Sequence, residues 1–322
     1  MRNTLHCHLH CLVAATVVTS AMAMVSSVSA QGVANNSIFT DLLQRGVPFG
    51  GSFRPLPPPT LPDGLNANQQ KAAIDAVLAL KASRPTYEAF TDKAHNLNAP
   101  YVMVIDDLNP PFGGGNQPGH SINLWFVAWG NLSAITDPKF LKAQFQPDPN
   151  NDRIDVLQPN GLPMGIQTQN IPGGGDWFVH GQFMILSNDQ RVQVRGTAHV
   201  METTNNDSGT LAAIVDPRFN QDPNFPNEWR PVQRNPNGQV VKGPNGKALL
   251  GDPSPYVSAG GYLKATKLIR PAGALLVEYH LVYDEPPGWF GGKNLLRPKL
   301  NTKAEDDVRM FRRKVSDASA EK

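Results

Sequence analysis

The sequence predicts an α+β fold: one antiparallel, strongly curved sheet of six or more strands, packed with N-terminal helices and a C-terminal helix. Three observations support this class. Apolar residues recur at helical spacing between residues 66 and 97, at period two or in continuous runs between 100 and 283, and at helical spacing again after 302. Helices and strands do not alternate along the chain, which argues against a doubly wound parallel sheet or a TIM barrel.

The first 30 residues have the pattern of a removable signal peptide. Arg2 precedes an apolar run from Leu12 to Val25 that is too short to span a bilayer, and Val28–Ala30 offers small residues for cleavage. Both cysteines, Cys7 and Cys11, lie in this segment, so the mature chain has neither a disulfide nor a Cys-ligated metal. We therefore expect an exported protein, either periplasmic or extracellular.

The charge balance excludes several classes of partner. The full chain has 29 Lys and Arg against 27 Asp and Glu, and only Arg2 leaves with the signal. A chain so close to neutral gives no electrostatic case for nucleic acid or for an anionic membrane surface. No later segment has 18 uncharged apolar residues, so no transmembrane segment is expected in the mature chain.

Residues 31–65 contain six prolines and are predicted to form a Pro-rich leader, an extended arm or spacer. The 292 residues that follow the signal suffice for one large domain or two small ones, and residues 66–316 are predicted to form a single α+β domain. Turn signals between 216 and 255 indicate a long loop or a hairpin excursion from this domain. Residues 317–322 are expected to form a polar tail.

Helix signals occur at four places. A helix is predicted over 66–82 with Asn66 or Asn68 as the N-cap, and a second over 86–95. Asp137–Pro138 is a typical helix start. Thr302–Glu305 has the pattern of a capping box, which predicts that the last helix begins there, and the basic residues at 309 and 312–314 are interpreted as its solvated face.

Strand signals fill most of the chain between residues 100 and 283. Each predicted strand is a period-two or continuous apolar run bounded by turn residues. The predicted strands are Tyr101–Leu108, Ser121–Trp129, Trp177–Leu186, Arg191–Thr203, Thr210–Val215, Tyr256–Ile269 and Ala274–Tyr283.

Four polar residues on these strands are candidates for chemistry. Glu278 and His280 share one face of the last strand, whereas His199 and Glu202 lie on opposite faces of an earlier one. If His199 or Glu202 meets Glu278 and His280 across the sheet, a metal site or an acid–base pair would form. Alternatively, these groups satisfy each other within the sheet or face water. The sequence does not reveal which strands are neighbours, so no catalytic residue, metal ligand or cofactor is assigned.

Aromatic residues are the other candidates. Trp125 and Trp129 mark one face of the second strand at period two, where they could belong to the core or line an apolar cavity. A cavity for a small molecule needs only a few placed polar groups, and Glu278 and His280 are the candidates for that role.

The final section, from the strand ending Tyr279–Tyr283 through Asp284–Phe290 and Asn294–Leu296 to the helix ending at Val315, resembles START-type helix-grip domains. The resemblance covers roughly residues 256–315 and implies a long strand, an acidic Pro-Gly turn and a C-terminal helix gripped by the sheet. It further implies an apolar cavity for a lipid or another hydrophobic small molecule. It transfers no catalytic residue, because such domains mostly bind ligands.

The expected function is therefore an exported protein that binds a hydrophobic small molecule or lipid between the sheet and the C-terminal helix. Its expected ligand-binding residues are Trp125, Trp129, Glu278 and His280. One alternative is a secreted hydrolase or metal-dependent enzyme that uses the His and Glu residues. The other is a cell-envelope interaction module, in which the Pro-rich leader serves as a spacer.

Overall fold

The computed structural model describes residues 36–49, 52–108, 119–136, 154–157, 162–169, 174–183, 192–288 and 296–320. The predicted signal peptide and the predicted helix start at residues 137–138 lie outside the described residues. The fold class is α+β, as predicted, with a large antiparallel sheet, a C-terminal helix and a few short helices.

The main sheet has ten strands among the described residues. They are β3 (Tyr101–Leu108), β4 (Gly119–Trp129), β5 (Ile154–Leu157), β6 (Gly174–Phe183), β7 (Val192–Thr204), β8 (Ser208–Val215), β9 (Glu228–Pro231), β10 (Ser254–Pro255), β11 (Ala259–Lys267) and β12 (Ala274–Asp284). All seven predicted strands are confirmed with small shifts of their ends. The three that were not predicted, β5, β9 and β10, are too short to show a period.

Strand order places the last two strands in the middle of the sheet. From one edge the order is β3, β4, β12, β11, β8 and β7, with every pair antiparallel. β7 is long enough to pair with β6 along one side and with both β8 and β9 along the other. β5 pairs with β6, and β10 pairs with β9. The segment 216–255, predicted to be a long loop or a hairpin excursion, contains β9, β10 and further antiparallel bridges. The hairpin prediction therefore describes it better than the loop prediction.

The N-terminal segment is folded onto the sheet. Helix α1 (Ser37–Gln44) begins at Asn36, whose side chain accepts the Phe39 N–H and donates to the carbonyl of Met201. A small hairpin follows, formed by β1 (Val47–Phe49) and β2 (Ser52–Arg54). The interpretation of residues 31–65 as an arm or spacer is therefore wrong from residue 36 onward. Its apolar side chains are buried against β7, β8, β11 and β12.

Two short helices precede the main sheet, and a third, α4 (Leu132–Ile135), follows β4. Helix α2 (Ala67–Leu78) has the predicted N-cap, because Asn66 and Gln69 form a reciprocal capping box. The predicted helix over 86–95 is reduced to α3 (Tyr87–Phe90), after which Asn96–Asn98 forms a single 3₁₀ turn. Among the helices of the described residues, none has the length and apolarity needed to span a membrane.

The C-terminal helix, α5 (Leu296–Ala320), is longer than predicted at both ends. Thr302 does not cap it, since its hydroxyl donates to the Pro298 carbonyl one turn earlier, and Glu305 pairs with Arg309. Residues 317–320 continue the helix rather than forming a tail. The interpretation of the basic run as a solvated face is wrong for Arg312, whose side chain is buried against the sheet.

The sheet is covered on both faces. Helix α5 packs on one face, which we call the helix face, through Leu300, Ala304, Val308 and Val315. The opposite face, which we call the strap face, is covered by residues 36–78 through two apolar clusters. The strap itself is the proline segment 55–63, which crosses the middle strands. Burial on both faces explains the continuous apolar runs of the central strands.

Candidate functional site

The predicted site residues lie mainly on the strap face. Glu278, His280 and Trp125 belong to the set of alternating side chains that faces the N-terminal segment, while their neighbours in sequence face α5. The prediction that these three line a space beside the C-terminal helix is wrong. The alternation of side chains along a strand correctly predicted that Glu278 and His280 share one face of the sheet. Which face the C-terminal helix covers is determined only by the tertiary packing.

The strap is held to the sheet by polar contacts. The Thr60 N–H donates to Glu278 Oε2 over 2.7 Å, and the Trp125 indole N–H donates to Thr60 Oγ1 over 2.8 Å. The Tyr262 hydroxyl donates to the Pro57 carbonyl, and Lys264 Nζ donates to the Leu61 carbonyl. Because an extended proline segment has no internal hydrogen bonds, these side chains provide partners that it would otherwise find only in water.

An ion pair between Lys264 of the sheet and Asp63 of the strap extends this network. Lys264 Nζ also lies 2.9 Å from Asp63 Oδ1, and this carboxylate accepts the Ser208 hydroxyl. Partial burial raises the pKa of Asp63, but the contacts with Lys264, Asn205 and Ser208 outweigh this effect and lower the pKa below its ordinary value. The carboxylate is therefore ionised at neutral pH, and it closes the strap at its C-terminal end.

Glu278 and His280 form a buried polar chain, in which Glu278 Oε1 has no hydrogen-bond partner among the described residues. His280 Nδ1 lies 2.7 Å from Asn123 Oδ1, and His280 Nε2 lies 3.3 Å from Glu278 Oε2. The Trp125 and Tyr262 rings pack against the imidazole at centroid distances of 5.2 and 4.8 Å. Since Glu278 and His280 are both buried, this chain positions the strap and has no access to a substrate.

The two other candidates do not meet this pair. His199 lies on β7, and β8 and β11 separate it from β12, a distance of roughly 14 Å at the usual strand spacing. It pairs instead with Asp176 and stacks on Phe178. Glu202 lies on the opposite face from Glu278 and His280. The cluster required by the enzyme alternative is therefore not assembled, and no group of three His, Cys, Asp or Glu residues in the described part of the chain is placed to hold a metal ion.

A third histidine, which the sequence analysis did not single out, links strands near one edge of the sheet. His120 Nε2 lies 2.8 Å from Glu285 Oε2, and His120 Nδ1 lies 3.1 Å from Asp107 Oδ1. The ring is buried and packs on Tyr283. Both ring nitrogens face carboxylates, so this cluster connects β3, β4 and the residues after β12. The sequence indicates this cluster only through the period-two alternation of side chains along β3 and β4.

The helix face carries polar atoms that lack partners. Glu202, Trp177 and Trp229 lie on the side of the sheet that faces α5, among apolar residues of β6, β7 and β9. Glu202 Oε2 and both indole N–H groups are buried, and no hydrogen-bond partner is present for them among the described residues. An unpaired buried polar group costs about 1–3 kcal/mol. Glu202 and Trp177 are diagonal neighbours across β7 and β6, whereas Trp229 lies beside Val194, eight residues or roughly 26 Å along β7 from Glu202. Glu202 and Trp177 therefore mark a position at which a bound molecule would satisfy two buried polar groups.

Burial raises the pKa of Glu202 to about 7. The folded protein therefore retains a proton on this carboxyl group where the unfolded chain, with an ordinary value of 4.5, has lost it. The stability contributed by the neutral carboxyl is fully present below pH 4.5 and is lost as the pH rises towards 7. Burial also raises the pKa of Asp284 to about 7. Its contribution to stability is therefore lost in the same direction, as the pH rises towards 7.

We expect that raising the pH from 5 to 8 lowers the free energy of unfolding, with about 2–3 kcal/mol of the decrease due to Glu202. Urea denaturation of the wild-type chain and of Glu202→Gln across this range measures the effect. The variant should retain only the decrease due to Asp284. Equal pH dependence in both proteins would contradict the assignment to Glu202.

Trp129, the fourth predicted site residue, lies apart from the other three. It is half-buried at the end of β4, where Lys93–Asn98 and the residues Arg313, Ser316 and Asp317 of α5 surround a groove of ≈ 380 Å³. Lys93 Nζ lies 5.2 Å from the centre of the Trp129 ring. Trp129 is thus the one predicted residue that borders both an open cavity and the C-terminal helix.

Comparison with solved structures finds eleven similar chains. The chain is similar to the crystal structure of human STARD10, with a TM-score of 0.32 and 8% sequence identity, over 72% of this chain and 82% of that chain. No family model and no curated protein matches the chain. At this level of similarity, the function has to be inferred from the chain's own residues.

Proposed function

We propose that this chain is an exported protein that binds a hydrophobic small molecule or lipid on the helix face of its sheet. Export is proposed from the first 30 residues, which combine a basic start, a short apolar run and a small-residue cleavage site. Ligand binding is proposed from the helix face, where buried polar atoms without partners lie within an apolar surface.

The observation that carries the binding proposal is the combination of Glu202 with the neighbouring indole of Trp177. Apolar side chains of β6 and β7 on the same face, such as Val179 and Val200, provide the surface on which an aliphatic or ring system can pack. The carboxyl group of Glu202 and the indole N–H group of Trp177 provide the few polar contacts that orient it. Neither Glu202 nor Trp177 is among the residues that the sequence analysis expected to bind the ligand, and both lie several strands away from β3 and β4, on which α5 packs.

The main test is native mass spectrometry of the mature chain, residues 31–322, purified from its natural host. We expect a surplus mass that is released on denaturation as an apolar molecule. In Glu202→Leu the occupancy should fall several-fold, since the polar anchor is lost while the apolar surface remains.

Trp125→Phe is the matched control, because it removes an indole N–H from the strap face and should leave the occupancy unchanged. A bare polypeptide mass for the wild-type chain would contradict ligand binding. A ligand retained equally in Glu202→Leu would place the site elsewhere. The same spectrum tests export, since removal of the signal predicts a chain that begins at Gln31.

A further inference from the structure

We infer that the groove beside Trp129 is a second, separate binding site, and that it takes a small aromatic carboxylate. This site does not involve the residues of the proposed lipid site. It lies at the end of β4, between the 3₁₀ turn and the last turns of α5.

The size of the groove fits a small molecule. At about 30 Å³ for each water-sized unit, ≈ 380 Å³ holds roughly a dozen non-hydrogen atoms. Small-molecule sites in proteins begin at about 300 Å³. The groove is therefore large enough for a two-ring acid and too small for a long lipid.

One wall of the groove is aromatic and apolar. The Trp129 indole contributes its half-buried ring, and Leu97 presents a side chain that is 37% exposed. A planar ring can pack between these two groups with the offset or edge-on geometry that aromatic pairs prefer. Such packing would also remove two apolar side chains from water.

The charge at the groove is positive on balance. Lys93 and Arg313 line it, and neither has a carboxylate within ion-pair distance in the described part of the chain. Neighbouring cations are paired: Arg309 with Glu305, and Lys303 with Asp307. Asp317 is the only carboxylate in the lining.

Two further facts strengthen the attraction for an anion. Buried Arg312, directly behind Arg313 in sequence, donates only to neutral carbonyl oxygens, so its charge is not cancelled by a carboxylate. The helix macrodipole does not cancel these charges either. Its negative end acts within the last turn, and Arg313 lies seven residues before the end of α5 at Ala320.

The test is calorimetric titration of the mature protein with naphthalene-2-carboxylate and with its uncharged isostere, naphthalene-2-carboxamide. The two probes match in size and differ in charge. We expect the carboxylate to bind at least 5-fold more tightly than the amide. Its affinity should also fall when salt is raised from 50 to 500 mM, as for an exposed charge contact.

Variants locate the effect at the groove. Arg313→Gln and Lys93→Gln should each weaken carboxylate binding by about 2- to 5-fold, the range expected for exposed charge pairs, and should leave amide binding unchanged. Arg309→Gln, on the same helix but outside the groove, should have no effect. Lys93 and Arg313 are exposed and Arg309 is partly exposed, so the variants should fold normally.

Three outcomes would overturn the inference. These are no carboxylate binding at 10 mM, equal affinity for the two probes, or equal losses in Arg313→Gln and Arg309→Gln. None of them bears on the proposed lipid site. Failure of that site would instead appear as a bare polypeptide mass with carboxylate binding intact.

Discussion

Arg312→Met is expected to lower the free energy of unfolding by about 3–5 kcal/mol. The guanidinium donates to the carbonyl oxygens of Val127, Ala99 and Pro100 over 2.8, 2.7 and 3.0 Å. β3 begins at Tyr101, opposite Phe126, so these carbonyls lie just beyond the last strand pair. Methionine fills the volume but leaves three buried acceptors unpaired.

Urea denaturation compares this variant with Arg309→Met, an exposed arginine of the same helix that should cost less than about 1 kcal/mol. Arg312→Lys should recover little, because an ammonium group cannot reproduce the planar fork that reaches three carbonyls. A loss below about 1 kcal/mol for Arg312→Met would show that the carbonyls find other partners. Burial lowers the pKa of Arg312 to about 10, so its charge is retained at neutral pH.

Gly46→Ala is expected to cost about 3 kcal/mol or more and to loosen the N-terminal segment. Gly46 joins α1 to β1 with φ +96, a conformation that favours glycine. A Cβ atom at this position would also lie 2.1 Å from the backbone carbonyl of Arg54, which cannot move without breaking the hairpin. Backbone strain and steric overlap therefore add at one position.

Gly64→Ala separates these two effects. Gly64 has φ +86, close to that of Gly46, but a Cβ atom there would meet nothing within 4 Å. This variant should show only the cost of positive φ, about 1–2 kcal/mol. Hydrogen exchange of residues 37–63 is the second measurement, and it should accelerate in Gly46→Ala alone. Equal stability of the two variants would contradict the steric part of the argument.

The sheet was predictable because its strands are long and have clear ends. Tyr101–Leu108 was predicted with both bounds correct, since an apolar run lies between a proline and a turn-rich segment. Helix α1 was not predicted, because it is eight residues long and is stabilised by packing on β7, β8 and β11. The hairpin of β1 and β2 has only three residues in each strand, which is too few to show a period.

The candidate site was predictable in part. Alternation placed Glu278 and His280 together, but which face meets α5 depends on the fold of the whole chain. The sequence did contain an indication that Arg312 is buried. This residue lies four residues after Val308 and three before Val315, within the stripe that α5 buries. Its charge favoured the solvated interpretation, because a buried arginine needs acceptors that sequence alone does not locate.

The strap also determines when the fold can be completed. Thr60 is bonded to Glu278 across 218 positions, and Pro57 to Tyr262 across 205. A chain synthesised from its N-terminus produces residues 55–63 early and their partners on β11 and β12 only near its end. Contacts at such separation form slowly, because a long loop must close first. The segment made first is thus among the last to dock, and a nascent chain remains open along its central strands until β12 has been synthesised.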